Sequence, residues 1–302
     1  MLVSALVPVI ALILVGYVLK QSDLFPGPVW TGIERLVYLV LLPALLVVKL
    51  GTTDLAGFDV WPMALAMAGA TLVVTFALAL ARPLSGIDRP LYTSILQGAI
   101  RQNSFIGLAA AEPLYGGSGL ALAAVGIAAV IPMVNVISVW SLAALDAGGR
   151  PGVGTIAVRM LTSPIIIACA IGLGINAAGV RMPDMLVTTL DLLAGAALPL
   201  GLLAVGAGLA FRVAWKSPAS LLCSTVCKLL VIPALAALFC HVQGVDPVAT
   251  GIAVLFTSLP SSASAYVMAR QFGGDHEMMA TILTTQTILA AATVPFMVGL
   301  LG

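Results

Sequence analysis

Of 302 residues, 61% are hydrophobic and 8% are charged, and the mean hydropathy is +1.15. A soluble domain carries roughly 25% charged residues, so this chain has no polar coat with which to face water; the net charge of +1 says nothing about nucleic acid, and no basic patch exists to bind it. At about 20 apolar residues per membrane crossing, the length admits about ten spans joined by short loops.

Hydropathy places the spans, in chain order, at residues 2–19, 36–50, 61–81, 91–111, 120–145, 154–177, 185–211, 218–241, 248–269 and 278–301. The first run lacks a positive leading segment and a small-residue cleavage site, so it reads as a span and not as a removed signal. The odd-numbered loops hold Lys20, Arg35, Arg82, Arg89, Arg150, Arg159, Arg212, Lys216 and Arg270, and the even-numbered loops hold Lys49 and Arg181. Cytoplasmic loops are enriched in Lys and Arg. This bias puts the odd loops in the cytoplasm and both termini outside, periplasmic for an inner-membrane protein. The two remaining cations, Arg101 and Lys228, fall inside spans.

The chain divides at the loop DAGGRPGVG, residues 146–154, into halves of about 1–147 and 152–302 within one transmembrane domain. A shift of about 157 residues lays Pro43 on Pro199 and the polar centre of span 4, Asn103, on Pro260 of span 9. Five spans per half is an odd number, so the halves are expected to be inverted repeats, a construction typical of secondary transporters.

Spans 4 and 9 carry the chemistry. The centre of span 4, Arg101-Gln102-Asn103-Ser104, is too polar to face lipid. The centre of span 9 runs from Thr257 to Ser264 around Pro260, which removes a backbone donor and clashes with the preceding turn. Asn103, Ser104, Ser261 and Ser262 are residues that favour helix N-caps. Each span therefore predicts two half-helices with a new helix starting near the midplane, where unwound backbone must be buried in protein or line a watery cavity. The new N-termini are electropositive and carry free N–H donors, and Arg101 adds a full charge. The field favours an anion such as a carboxylate. The bland reading is a pair of kinked helices whose serines bond back to their own backbone.

Other polar residues within the spans each carry two readings. Lys228 in span 8 either serves the site, by charge balance or by attracting the anion, or is structural, snorkelling or bound to a carbonyl. Asp191 in span 7 and Glu112 at the end of span 4 are the candidates for proton coupling, set against a structural pattern for the first and a solvated helix end for the second. Asn135 in span 5 and Gln286 in span 10 support the unwound backbone or contact substrate. Cys169, Cys223, Cys227 and Cys240 lie in apolar segments, read as small helix residues, and imply no metal site. No HExxH or complete GxSxG is present, so an intramembrane enzyme is not expected. No residue pattern separates a carrier from a channel.

Two stretches carry a family resemblance. IRQNSFIGLA, residues 100–109, and LPSSASAYVMARQFGGD, residues 259–275, are similar to the fourth and ninth spans of the auxin efflux carrier family. Lys228 followed by Pro233 adds to the likeness. Without a long central loop, the chain resembles the short bacterial branch. The resemblance implies the sodium/proton antiporter and bile-acid symporter fold, all-α with broken helices 4 and 9 crossing at the substrate site. It also implies a homodimeric scaffold of spans 1, 2, 6 and 7, an elevator-like transport domain of spans 3–5 and 8–10, and substrates such as malate, malonate or auxins. The alternative within the same class is a sodium- or proton-coupled symporter of bile-acid type. No Asp or Glu lies within residues 91–111 or 248–269, and sodium sites need hard oxygen ligands, usually including a carboxylate. Proton coupling is therefore expected ahead of sodium, with no other cofactor.

Overall fold

The computed structural model describes residues 2–55, 57–143, 158, 162–209 and 217–302, and among these the chain is all-helical with no strand. The elements are α1 (Leu2–Gln21), α2 (Gly27–Leu36), α3 (Leu42–Thr52), α4 (Val60–Ser85), α5 (Arg89–Ile100), α6 (Ser104–Ala143), α7 (Pro164–Ala177), α8 (Asp184–Ala207), α9 (Pro218–Val226), α10 (Ile232–Gln243), α11 (Pro247–Thr257), α12 (Ala263–Gln271) and α13 (His276–Leu301). Five helical stretches are long and apolar enough to cross a bilayer: Val60–Ser85, Arg89–Leu142, Asp184–Ala207, Pro218–Gln243 and His276–Leu301. Shorter apolar helices accompany them at Leu6–Gln21, Pro164–Ala177 and Pro247–Thr257. The dividing loop 146–154, the start of the sixth expected span, the end of the seventh, and Arg150, Arg159, Arg212 and Lys216 lie outside the described residues.

Local chemistry explains where the helices begin and bend. Asp88, Asp246 and Asp275 cap α5, α11 and α13 by accepting hydrogen bonds from the N–H groups of Leu91, Ala249 and Met278. Pro90 and Pro247 follow two of these caps in the first turn, where a missing N–H costs nothing. Two π-turns, Val37–Leu41 and Cys227–Val231, join α2 to α3 and α9 to α10. Each ends just before a proline, Pro43 or Pro233. A proline clashes with the carbonyl four residues back, here Leu39 and Leu229, and widening the turn relieves that clash. Pro199, by contrast, sits inside uninterrupted α-helix.

The second expected span begins earlier than hydropathy indicates, because α2 carries Thr31, Glu34 and Arg35 yet continues through the π-turn into α3. Helix α6 is broken at Gly116, whose φ of 70° and ψ of −164° lie in a region essentially confined to glycine.

Small residues let the helices approach. A Cβ on Gly16 would strike the carbonyl of Leu203, and one on Gly206 would strike that of Ile13, so α1 and α8 lie backbone to backbone. Helix α3 packs against α7 and α8, α10 against α4 and α11, and α11 against α6. The α5 half-helix packs against α9 and α13. The outside is apolar. Along α4, Trp61, Leu65, Leu72, Phe76 and Leu80 are exposed at helical spacing, a stripe suited to lipid and costly in water.

Candidate functional site

The two broken helices meet. Helix α5 stops at Ile100, residues 101–103 are non-helical, and α6 starts at Ser104. Helix α11 stops at Thr257, residues 258–262 are non-helical, and α12 starts at Ala263. The N–H of Asn103 donates to the carbonyl of Pro260 at 2.8 Å, tying one break to the other. Gly107, one turn into α6, has no room for a side chain against the Phe256 ring and Leu259. A third helix holds both breaks. Gln286 of α13 accepts from the Ser261 N–H through Oε1 at 2.9 Å and donates through Nε2 to the carbonyls of Gly98 at 3.0 Å and Ser224 at 3.4 Å. Backbone freed by the breaks is thereby satisfied within the protein, as a buried site requires.

The four half-helix ends differ in charge. At the start of α6, Asn103 Oδ1 accepts from the N–H groups of Phe105 and Ile106 at 3.2 and 3.3 Å. Asn103 is therefore the cap expected of it, and Ser104 is the first helical residue. At the start of α12, Ser262 occupies the cap position, but its hydroxyl pairs with that of Ser264 at 2.6 Å and caps no N–H. Arg101 lies beside this end. Its Nη2 donates to Ser264 Oγ at 3.0 Å and its Nη1 to Met268 Sδ at 3.2 Å. Arg101 is 8% exposed, and its Nε has no partner among the described residues; nor does the buried Oγ of Ser261. At the end of α11, the Nζ of Lys228 donates to the carbonyl of Thr257 at 3.2 Å. Lys228 is 1% exposed.

The structure thus gathers Arg101, Gln102, Asn103, Ser104, Lys228, Pro260, Ser261, Ser262, Ser264 and Gln286 at or beside the breaks. Asn135 is half-buried on α6. Gln97, which the sequence reading passed over, is fully buried one turn before Arg101, with both amide atoms unpartnered among the described residues. The signal for it was available: a polar residue four positions before Arg101 in an apolar span.

Asp191 and Glu112 lie elsewhere. Both line a cavity of about 340 Å³ between α1, α3, α6 and α8. Lys49 shares that cavity and sits 3.7 Å from Asp191, with side-chain exposures of 30% and 49%. Glu112 is exposed. Proline and leucine side chains complete the wall, Pro199 and Leu202 of α8 among them.

A helical membrane chain with paired broken helices invites comparison with known proteins. The family model described as membrane transport protein matches residues 1–148 and 153–298. The chain belongs to this family, the auxin efflux carriers. It is a multi-pass membrane transporter of the short branch and not an enzyme. A relative from Rhizobium meliloti named "Putative malonate transporter" is 28% identical over 301 residues, covering 95% of this chain and 92% of the relative. An "Uncharacterized transporter" from Methanothermobacter thermautotrophicus is also 28% identical, over 291 residues, covering 95% of this chain and 94% of its own. Among auxin efflux carriers the fourth- and ninth-span stretches 100–109 and 259–275 carried the resemblance, and these are the stretches that break and meet here.

Proposed function

We propose that this auxin efflux carrier is a secondary transporter or facilitator of small organic anions, carboxylates such as malonate or malate or auxin-like acids, in the inner membrane. The observation that carries this reading is Arg101. A guanidinium nine-tenths buried at a half-helix N-terminus, with no ion pair and an unpartnered Nε among the described residues, lacks the anion that such a site is built to hold. Ser261 Oγ and the uncapped first turn of α12 would share the load. Gln102, Asn103 and Ser104 follow Arg101 in the break that meets this turn. The name of the Rhizobium meliloti relative supports malonate as the first substrate to try.

Ten spans in two inverted repeats fit the packing. Pairings such as α1 with α8 and α3 with α7 exchange the first two spans of one half with those of the other. Helix α6, at 40 residues, would reach about 60 Å if straight, twice a bilayer core of about 30 Å. The break at Gly116 is where the chain turns back. The half-helices α5, α11 and α12 have 12, 11 and 9 residues, too few to cross alone. Alternating access is then an elevator movement of spans 3–5 and 8–10 against a homodimeric scaffold of spans 1, 2, 6 and 7. The loop charge bias supports periplasmic termini.

The test is binding of malonate, malate and indole-3-acetate to the purified protein by thermal shift and calorimetry. Arg101→Gln is expected to weaken the best ligand tenfold to a hundredfold, roughly 1.4 to 2.8 kcal/mol, with the fold retained. Unchanged affinity in a folded Arg101→Gln protein refutes the site. Failure of every carboxylate to bind refutes the substrate class.

A further inference from the structure

The end of α11 is a place where a free cation would bind. The last carbonyls of a helix have no intrahelical partners, and they sum to about half a negative charge. Buried inside a membrane protein, such an end next to unwound backbone is a cation site by its own electrostatics. Here the position is filled by the chain itself. Lys228 reaches from the π-turn Cys227–Val231 to the carbonyl of Thr257, the last residue of α11, at 3.2 Å. It is 1% exposed and forms no ion pair with a carboxylate among the described residues.

The hydroxyls that could have ligated a metal ion are turned back on their own helix. Thr257 Oγ1 donates to the carbonyl of Ala253 at 2.6 Å, and Ser258 Oγ donates to that of Leu255 at 2.9 Å. The ammonium is thus matched to the negative helix end and to little else.

We propose that Lys228 is a tethered cation that occupies the place of a bound alkali ion at the end of α11, so that the crossing is charge-balanced without sodium. A lysine cannot dissociate, so the half-helix end keeps the same charge throughout a transport cycle. Substrate movement is then indifferent to the sodium gradient. The inference rests on the crossing being the transport site. Its test needs no organic anion, so a wrong substrate class leaves it standing.

The full-length protein is purified in choline chloride and its thermal midpoint compared in sodium, potassium, ethylammonium and choline chlorides at equal ionic strength. The wild type is expected to show the same midpoint in all four. Lys228→Ala is expected to lose stability in choline and to regain about 3 °C or more in sodium or ethylammonium, a free cation taking the vacated position. Lys228→Gln keeps an N–H donor for Thr257 without the charge; it is the variant to use should the alanine protein not be recovered, with the same cation response expected. A wild type stabilised by sodium overturns the proposal. So does a folded Lys228→Gln protein that ignores every cation.

Discussion

Gln286 makes the sharpest stability prediction, because one side chain joins three helices at the crossing. It accepts from Ser261 N–H and donates to the carbonyls of Gly98 and Ser224. Gln286 is itself fully buried. Gln286→Leu keeps the volume and removes all three bonds. One backbone donor and at least one carbonyl, on opposite broken helices, are then left unpaired in a dry interior. An unsatisfied buried group costs about 1–3 kcal/mol, and the 3.4 Å contact to Ser224 is weak, so the two short bonds set the scale at about 2–6 kcal/mol. For a chain of this size each kcal/mol moves the midpoint by about 2 °C, giving a fall of about 4–12 °C. Gln286→Glu keeps the acceptor for Ser261 but turns an oxygen toward two carbonyls, and it places an acid close to the proposed anion site. It is expected to lose substrate affinity more than Gln286→Leu at equal stability. Thermal unfolding followed by tryptophan fluorescence reads the first effect, and calorimetric titration reads the second. A Gln286→Leu midpoint within about 1 °C of wild type would show that the contacts tying α13 to both breaks carry no weight.

Two further perturbations separate packing from chemistry. Gly206→Val pushes a branched side chain onto the Ile13 carbonyl, where backbone and not a flexible side chain must give way; the α1–α8 contact is expected to open and the midpoint to fall by more than 5 °C, roughly 3 kcal/mol of overpacking, and a wild-type midpoint would refute the close approach. Asp191→Asn breaks an ion pair exposed at 30% and 49%, worth about 0–1 kcal/mol, so stability is expected to hold; with Asp191 as the proton carrier, the variant abolishes the pH dependence of uptake in proteoliposomes, and an unchanged pH profile removes Asp191 from the coupling path.

How much of the site could be read in the sequence follows from where each signal was local. Polar residues in the middle of an apolar run, with Pro260 and the cap-forming Asn103, are local facts, and they located both breaks. Gln286 and Lys228 were visible as anomalies, but their roles depended on which carbonyls came to meet them. In the structure Gln286 bonds the unwound backbone and Lys228 bonds the end of α11. Asn135 is half-buried on α6, and an amide on a span says nothing by itself about the face it shares with a partner. Lys49 was counted as a loop cation because hydropathy ends the second span beside it, yet α3 carries it as far as the cavity and sets it against Asp191. Charge in a membrane chain is therefore legible by position along the helix, while its purpose is decided by the helix ends and the opposite charges that tertiary packing places within reach. At this crossing the packing supplies two cations and no carboxylate partner among the described residues. One cation is spent on the negative end of α11. The other, Arg101, lies beside an N-terminus of the same sign, and the anion proposed for this site would offset both.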